Sequence, residues 1–302
     1  MKLGFIGLGG MGRPMAEHLL AAGHHLTIWA RRQATAAPLL ALGAQWADNP
    51  AALARQSEIV CTNVTGSADV AELAAQMIDD FAPGAIHLDF STIAPSLARE
   101  LGARYARRGV YFVDAPVSGG TAGAQAATLA IMWGGESALA ERLEPIFTRL
   151  GKHVVHVGPV GAGQVAKACN QLVMVAATEA CAEAARLAAR ASVDFAKVRE
   201  AMLAGAAASR VLEVFGARMA RRDFAPGVET RLHHKDFVMV LAEAAGQNIP
   251  LPVASTVLQQ LDASMAAGWG REDTSRLLCV LERSGGVDFD KRSAADGQRV
   301  DH

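Results

Sequence analysis

The opening stretch, residues 2–12, restricts the fold more than any other part of the chain. A short apolar run at 3–6 passes directly into Gly7-Leu8-Gly9-Gly10-Met11-Gly12, and a helical pattern follows from Arg13 toward Ala22. Strand, glycine-rich turn and helix in that order make the first crossover of a parallel sheet. In that setting Gly7 permits the tight turn, Gly9 lets backbone approach a pyrophosphate, and Gly12 lets the helix pack against the strand. The string by itself is weak evidence, and its position supplies the rest. A dinucleotide is expected against Gly7, Leu8, Gly9, Gly10, Met11 and Gly12, with a merely structural turn as the alternative.

The alternation continues. Apolar runs at 26–29, 59–63, 86–89, 111–113, 129–133 and 154–157 are separated by alanine-rich helical stretches, which predicts βαβ units and a parallel, Rossmann-type α/β domain over residues 1–162. Beyond the turn Gly158-Pro159-Val160-Gly161-Ala162-Gly163, residues 164–191 contain no Pro or Gly and read as one helix about 40 Å long. From there to Arg283 the pattern is helical, with breaks near Gly205, Pro226-Gly227, Pro250-Leu251-Pro252 and Gly268-Trp269-Gly270. The fold class expected is therefore an α/β N-terminal domain, a long interdomain helix and an all-α C-terminal domain over 163–283. Residues 284–302, rich in Gly, Asp and Arg, are expected to be disordered. A chain of 302 residues is long enough for both parts to bury a core.

Composition narrows the partners. With 51% hydrophobic and 20% charged residues the chain is no disordered polymer, and a net charge of −1 gives no electrostatic reason to bind nucleic acid or an anionic membrane. The four cysteines, Cys61, Cys169, Cys181 and Cys279, lie far apart without a C-x-x-C, so neither a disulfide framework nor a zinc site is suggested. No apolar run reaches 18 residues without a charge, and the N-terminus enters a strand rather than a signal peptide. The expectation is a soluble cytoplasmic protein in a reducing compartment.

Chemistry concentrates at three places. After the second strand an NAD site would carry Asp or Glu for the ribose 2′-hydroxyl, but the sequence reads Trp29-Ala30-Arg31-Arg32 with no acid until Asp48. Paired guanidiniums suit a 2′-phosphate, so Arg31 and Arg32 favour NADPH, with NADH possible; a solvated arginine pair is the alternative. Only six of the 29 basic residues are lysine, which makes Lys167, inside an apolar helix, informative. Asn170 and Gln171 follow it at i+3 and i+4, on its face. An ammonium and two amides can donate to a carbonyl oxygen becoming an alkoxide, although a lysine snorkelling to water fits the same pattern. Third, Asp114-Ala115-Pro116-Val117-Ser118-Gly119-Gly120 follows a strand. There Ser118 with the N–H groups of Gly119 and Gly120 would form an anion nest for a small carboxylate, or else an ordinary turn. Ser118 lacks the G-x-S-x-G elbow of a hydrolase nucleophile. Adjacent His233 and His234 point about 100° apart on a helix and cannot chelate one ion together, so no metal is expected.

Taken together, GFIGLGGMGRPMA from Gly4, Ser91-Thr92, DAPVSGG from Asp114, GAGQVAKACNQ from Gly161 and HKDF from His234 resemble the β-hydroxyacid dehydrogenase family across nearly all of residues 1–283. Residues 198–236 look most like its branch that reduces tartronate semialdehyde to glycerate. The resemblance implies that Lys167 is the catalytic acid/base, that Ser118, Gly119, Gly120 and Asn170 bind substrate, and that Thr92 and Lys235 contact the cofactor near its nicotinamide. It places Asn63 and Val64 beside the cofactor and implies a homodimer or homotetramer packed through the α-domains. The partner implied is a small carboxylate-bearing aldehyde or hydroxyacid. The family's related imine reductases lack a lysine at the acid position. Three positions depart from the family pattern: Asn63-Val64-Thr65 for a usual Met-Leu-Pro, Ala127 for a usual Gly, and Trp133 for a usual Val. Other hydroxyacid substrates within the family, and a cofactor-binding sensor without turnover, are the competing readings.

Overall fold

The computed structural model describes residues 1–284. The expected disordered tail lies outside them except for Ser284, which closes the last helix. The chain divides into two compact units, 1–169 and 170 onward. The first contains β1 (Lys2–Ile6), α1 (Gly12–Ala21), β2 (His25–Trp29), α2 (Ala37–Ala41), β3 (Gln45–Trp46), α3 (Pro50–Gln56), β4 (Ile59–Thr62) and α4 (Ser67–Met77). It continues through β5 (Ile86–Asp89), α5 (Pro95–Ala106), β6 (Tyr111–Asp114), β7 (Val117–Ser118), α6 (Gly120–Gln125), β8 (Leu129–Gly134), α7 (Ala140–Leu150) and β9 (Gly151–Gly158).

These strands form one sheet in the order β3-β2-β1-β4-β5-β6-β8-β7, with β9 added on β8. From β3 to β6 every pairing is parallel, as the alternation predicts. The far edge is mixed: β8 runs antiparallel to β6 and β7 and parallel to β9. Two strands went unpredicted, β3 and β7, because two residues cannot show an alternation. Inward-facing side chains of the parallel strands bury Phe5, Ile28 and Leu88 under α1 and α7 on one face, and Val60 and Phe112 under α3, α4 and α5 on the other, where Tyr105 of α5 joins them. Trp133, on β8, is buried against His156 and Phe147, with ring centroids 4.0 and 5.9 Å apart.

Among the described residues four helix ends turn through the left-handed region without glycine, at Ala127, Ser192, Arg222 and Asn248. At Ala127 (φ +53°) the closing bond runs from the N–H of Thr128 to the carbonyl of Gly123, which terminates α6.

The helix α8 (Ala162–Arg190) begins in the first unit and ends in the second. The second unit then holds α9 (Phe195–Leu203), a π-helical turn at Leu212–Gly216, α10 (Ala217–Arg221), α11 (Thr230–Gly246), α12 (Pro252–Ala266) and α13 (Leu277–Ser284). Its apolar core, including Val175, Phe237, Leu261 and Leu277, comes mostly from helices, with Phe224 and Trp269 added from loops.

Candidate active site

In the glycine-rich turn after β1 each glycine answers a different steric demand. Gly7 has φ +100°, and a Cβ there would lie 2.1 Å from the carbonyl oxygen of Asn63. On Gly12 a Cβ would come within 1.9 Å of the Gly7 carbonyl. Above Gly9 nothing lies within 4 Å. A tight turn, a close helix and one open backbone position are what a pyrophosphate at this helix start requires, so the residues fit a dinucleotide. Asn63 and Val64 leave β4 next to this turn, the Asn63 N–H donating to the Ile6 carbonyl at 2.9 Å.

Arg31 and Arg32 follow β2 on the surface. Arg31, its side chain 65% exposed, is paired with Asp69 on α4, an acid that sequence distance had hidden.

A chain of polar contacts holds the loops flanking this turn. The Asp89 Oδ1 accepts from Thr62 Oγ1 at 2.7 Å and from the Ser91 N–H at 3.1 Å, and the Ser91 hydroxyl accepts from the Val64 N–H at 2.9 Å. Thr92 is half-buried beside Ser91.

Lys167 is 7% exposed, so its head is not carried into open water as snorkelling requires. Two residues missed in the sequence reading fix its helix. Asp114, at the end of β6, accepts from the N–H groups of Gly161 at 2.6 Å and Gln164 at 2.8 Å, capping α8. Burial pushes the Asp114 carboxyl up to about 7, against the pull of those two N–H donors. Gln164, fully buried, donates from Nε2 to the Ser91 carbonyl at 2.8 Å and accepts at Oε1 from the Ile93 N–H at 3.1 Å. The first turn of the lysine helix is thereby tied to the Ser91-Thr92 loop. The one available signal was Gly163, where a Cβ would lie 2.5 Å from the Met132 carbonyl and 2.6 Å from that of Asp114.

Ser118 does not sit in a free turn. It ends β7, paired with Ala130, and Gly119 (φ +136°) and Gly120 (φ +63°) then bend the chain into α6.

In the second unit Asn170 and Gln171 continue α8. Gln171 is buried, and both ends of its amide are engaged: Oε1 accepts from Asn170 Nδ2 at 2.9 Å and Nε2 donates to Asp236 at 2.6 Å. Asp236 in turn lies 3.1 Å from the Lys235 ammonium. His233 is buried against Thr274, whereas His234 pairs with Asp262 at the surface. Among the described residues no group of three His, Cys, Asp or Glu is arranged to hold a metal ion.

Two family models cover the chain. Residues 2–158 match the NAD binding domain of 6-phosphogluconate dehydrogenase, and residues 161–281 match the NAD-binding domain of NADP-dependent 3-hydroxyisobutyrate dehydrogenase. The 2-hydroxy-3-oxopropionate reductase of Escherichia coli strain K12 is 38% identical over 93% of this chain and 97% of its own length. The chain belongs to the β-hydroxyacid dehydrogenase family. As a β-hydroxyacid dehydrogenase it is a nicotinamide-dependent oxidoreductase acting on small hydroxyacids or their aldehydes. Another relative in this family, the NAD-dependent L-serine dehydrogenase of Pseudomonas aeruginosa, is 34% identical over 91% of this chain and 95% of its own. Among solved structures, Mycobacterium tuberculosis 3-hydroxyisobutyrate dehydrogenase with L-serine matches with a TM-score of 0.87 at 28% identity, covering 93% of this chain and 98% of that one. No described helix of this family member is long and apolar enough to cross a membrane.

Proposed function

We propose that the protein reduces tartronate semialdehyde (2-hydroxy-3-oxopropionate) to glycerate with NADPH, reversibly. The observation that carries the chemistry is the buried ammonium of Lys167 on a helix whose first turn is capped by Asp114 and strapped by Gln164. A lysine so held can deliver a proton to an aldehyde oxygen and recover it in the reverse direction. The bound nicotinamide supplies the hydride. Ser118, Gly119 and Gly120 take the substrate carboxylate, and Asn170, whose carbonyl oxygen is not used by Gln171, pairs with the 2-hydroxyl. The bonds of Gln171 support a role behind Asn170, orienting it, as much as a direct one. Thr92 and Lys235 contact the cofactor near its reacting ring.

NADPH over NADH is supported by Arg31 and Arg32 at the end of β2, where the sequence itself carries no acid; the pairing of Arg31 with Asp69 of α4 offsets part of that support. The choice of substrate is supported by the likeness to the Escherichia coli reductase. A homodimer or homotetramer in the cytoplasm completes the reading; apolar side chains left bare on α8, Val173 at 67% and Leu187 at 74% exposure, support association.

The test is kcat/KM for tartronate semialdehyde, methylmalonate semialdehyde and L-serine side by side. A site that bonds a hydroxyl should reject the methyl analogue by a large factor, because its polar partners are left unpaired. A ratio favouring methylmalonate semialdehyde would move the assignment to a 3-hydroxyisobutyrate dehydrogenase, and one favouring L-serine to a serine dehydrogenase.

A further inference from the structure

Behind the cofactor turn lies a second polar chain with no place in the chemistry above. His87 sits on β5, fully buried, two residues before Asp89. Its Nδ1 is 2.8 Å from the hydroxyl of Tyr105, itself fully buried on α5, and its Nε2 is 3.0 Å from Thr62 Oγ1. Three rings, Phe81, Tyr105 and Phe112, pack around the imidazole with centroids 5.1 to 6.1 Å away.

The direction of every bond in this chain follows from counting hydrogens. Asp89 Oδ1 accepts from two donors, the Thr62 hydroxyl and the Ser91 N–H. The single hydrogen of Thr62 is therefore spent on Asp89, and toward His87 its oxygen can only accept. The imidazole proton must then lie on Nε2. Burial holds His87 far below its ordinary titration range, to about 3, so the ring is neutral and its Nδ1 is bare. Nδ1 accepts from Tyr105. The order is Tyr105 to His87 to Thr62 to Asp89, and Asp89 then orients Ser91, whose hydroxyl takes the Val64 N–H.

We infer that His87 is a positioning residue for cofactor binding: the buried chain Tyr105–His87–Thr62–Asp89 fixes the Thr62 hydroxyl, and through Asp89 and Ser91 it sets the two loops, Asn63-Val64 and Ser91-Thr92, that flank the cofactor. The inference rests on the nicotinamide-binding reading of this turn. An apolar core would stabilise the sheet as well as this chain does. What an apolar side chain at 87 cannot do is hold the Thr62 hydroxyl from behind. The Val64 and Ser91 N–H groups keep their acceptors, Ser91 Oγ and Asp89 Oδ1, but Thr62 loses the donor that aims its own O–H at Asp89, the carboxylate both loops hang from.

The test is a direct titration of NADPH and NADH binding by nicotinamide fluorescence at 25 °C, on the full chain and on His87→Leu, His87→Gln and Tyr105→Phe, with a thermal melt of each. His87→Leu removes the donor to Thr62 and is expected to weaken cofactor binding about five- to tenfold, the worth of one such bond. kcat at saturating cofactor should stay within twofold. His87→Gln, whose amide N–H can donate to Thr62, is expected to recover most of the affinity. Tyr105→Phe deletes one O–H without changing shape, and should weaken binding by a smaller factor; it keeps the test alive should the leucine variant fail to fold. Native affinity in His87→Leu or in Tyr105→Phe, with only a lowered melting temperature, would overturn the inference and leave the chain as core filling. A parent protein that binds neither nicotinamide would overturn the functional reading, and this inference with it.

Discussion

Replacing Glu179 by glutamine should stabilise the protein in mild alkali and leave it unchanged in acid. The residue lies midway along α8, is 5% exposed, and neither carboxylate oxygen has a hydrogen-bond partner among the described residues. Burial, with a smaller contribution from the charge of Glu183, pushes its carboxyl from the ordinary 4.5 up to about 7. Below pH 4.5 the folded and unfolded chains both hold the proton. Between 4.5 and 7 the unfolded chain releases it while the folded chain keeps it, so stability falls as pH rises and levels off above 7. At about 1.4 kcal/mol per pH unit, that span costs the native state roughly 3 kcal/mol. Glutamine has the same shape and never ionises. The difference in unfolding free energy between Glu179→Gln and the parent should open from near zero at pH 4.5 to roughly 3 kcal/mol at pH 8. Paired urea titrations followed by helical circular dichroism at several pH values measure it. Pairing also cancels the similar slope contributed by Asp114, whose carboxyl burial likewise raises to about 7. A difference independent of pH, or a variant less stable than its parent at pH 8, would show that the buried carboxylate is compensated and refute the reasoning.

Lys167→Ala should lower kcat by roughly 10²–10⁴ while NADPH still binds, and Lys167→Arg should not rescue it, because a guanidinium does not give up its proton; unchanged kcat in the alanine variant would leave the lysine a structural role only. Arg31→Asp should weaken NADPH by about tenfold to a hundredfold. Asp69→Asn should release Arg31 and tighten NADPH by no more than about fivefold, since an exposed ion pair is worth about 0–1 kcal/mol. Equal kcat/KM for NADPH and NADH in the parent would refute both arginine arguments. Ala127→Gly should raise stability by about 0.5–1 kcal/mol, the relief of a left-handed alanine less the added freedom of the unfolded chain; a lower melting temperature would contradict the strain at that helix end.

How far these features could be read without coordinates depended on whether their cause was local. Gly12 is forced by a clash within the turn it occupies and Gly7 by its own positive φ, and the order strand, turn, helix already announced them. Lys167 stood out because the chain otherwise writes its positive charge as arginine. Ala127 was visible as a departure, and its positive φ explains why glycine is usual there. The polar supports were invisible for the opposite reason. Asp114 reaches Gly161, Gln164 reaches Ser91, and Asp69 reaches Arg31 across dozens of intervening residues, and no periodicity encodes such pairings. The reversal of β8 was hidden as well, since alternation looks the same in a parallel and an antiparallel strand. Gln171 shows the cost of reading one helix face alone: its amide looked available on α8, and its partner Asp236 comes from α11.

Because α8 begins in one compact unit and ends in the other, the division of the chain falls inside a continuous helix instead of a linker. This has a consequence for how such a sequence can change over time. A helix advances 100° per residue, so one inserted or deleted residue between Lys167 and Asn170 would turn every later side chain by that angle. Length variation must then be confined to helix ends and loops, such as residues 191–194. Recombination between distant relatives can succeed at this junction only in phase, with the two parental helices joined at equivalent residues. The central helix acts as a reading frame at the level of the fold, tolerant of many substitutions and of almost no insertions.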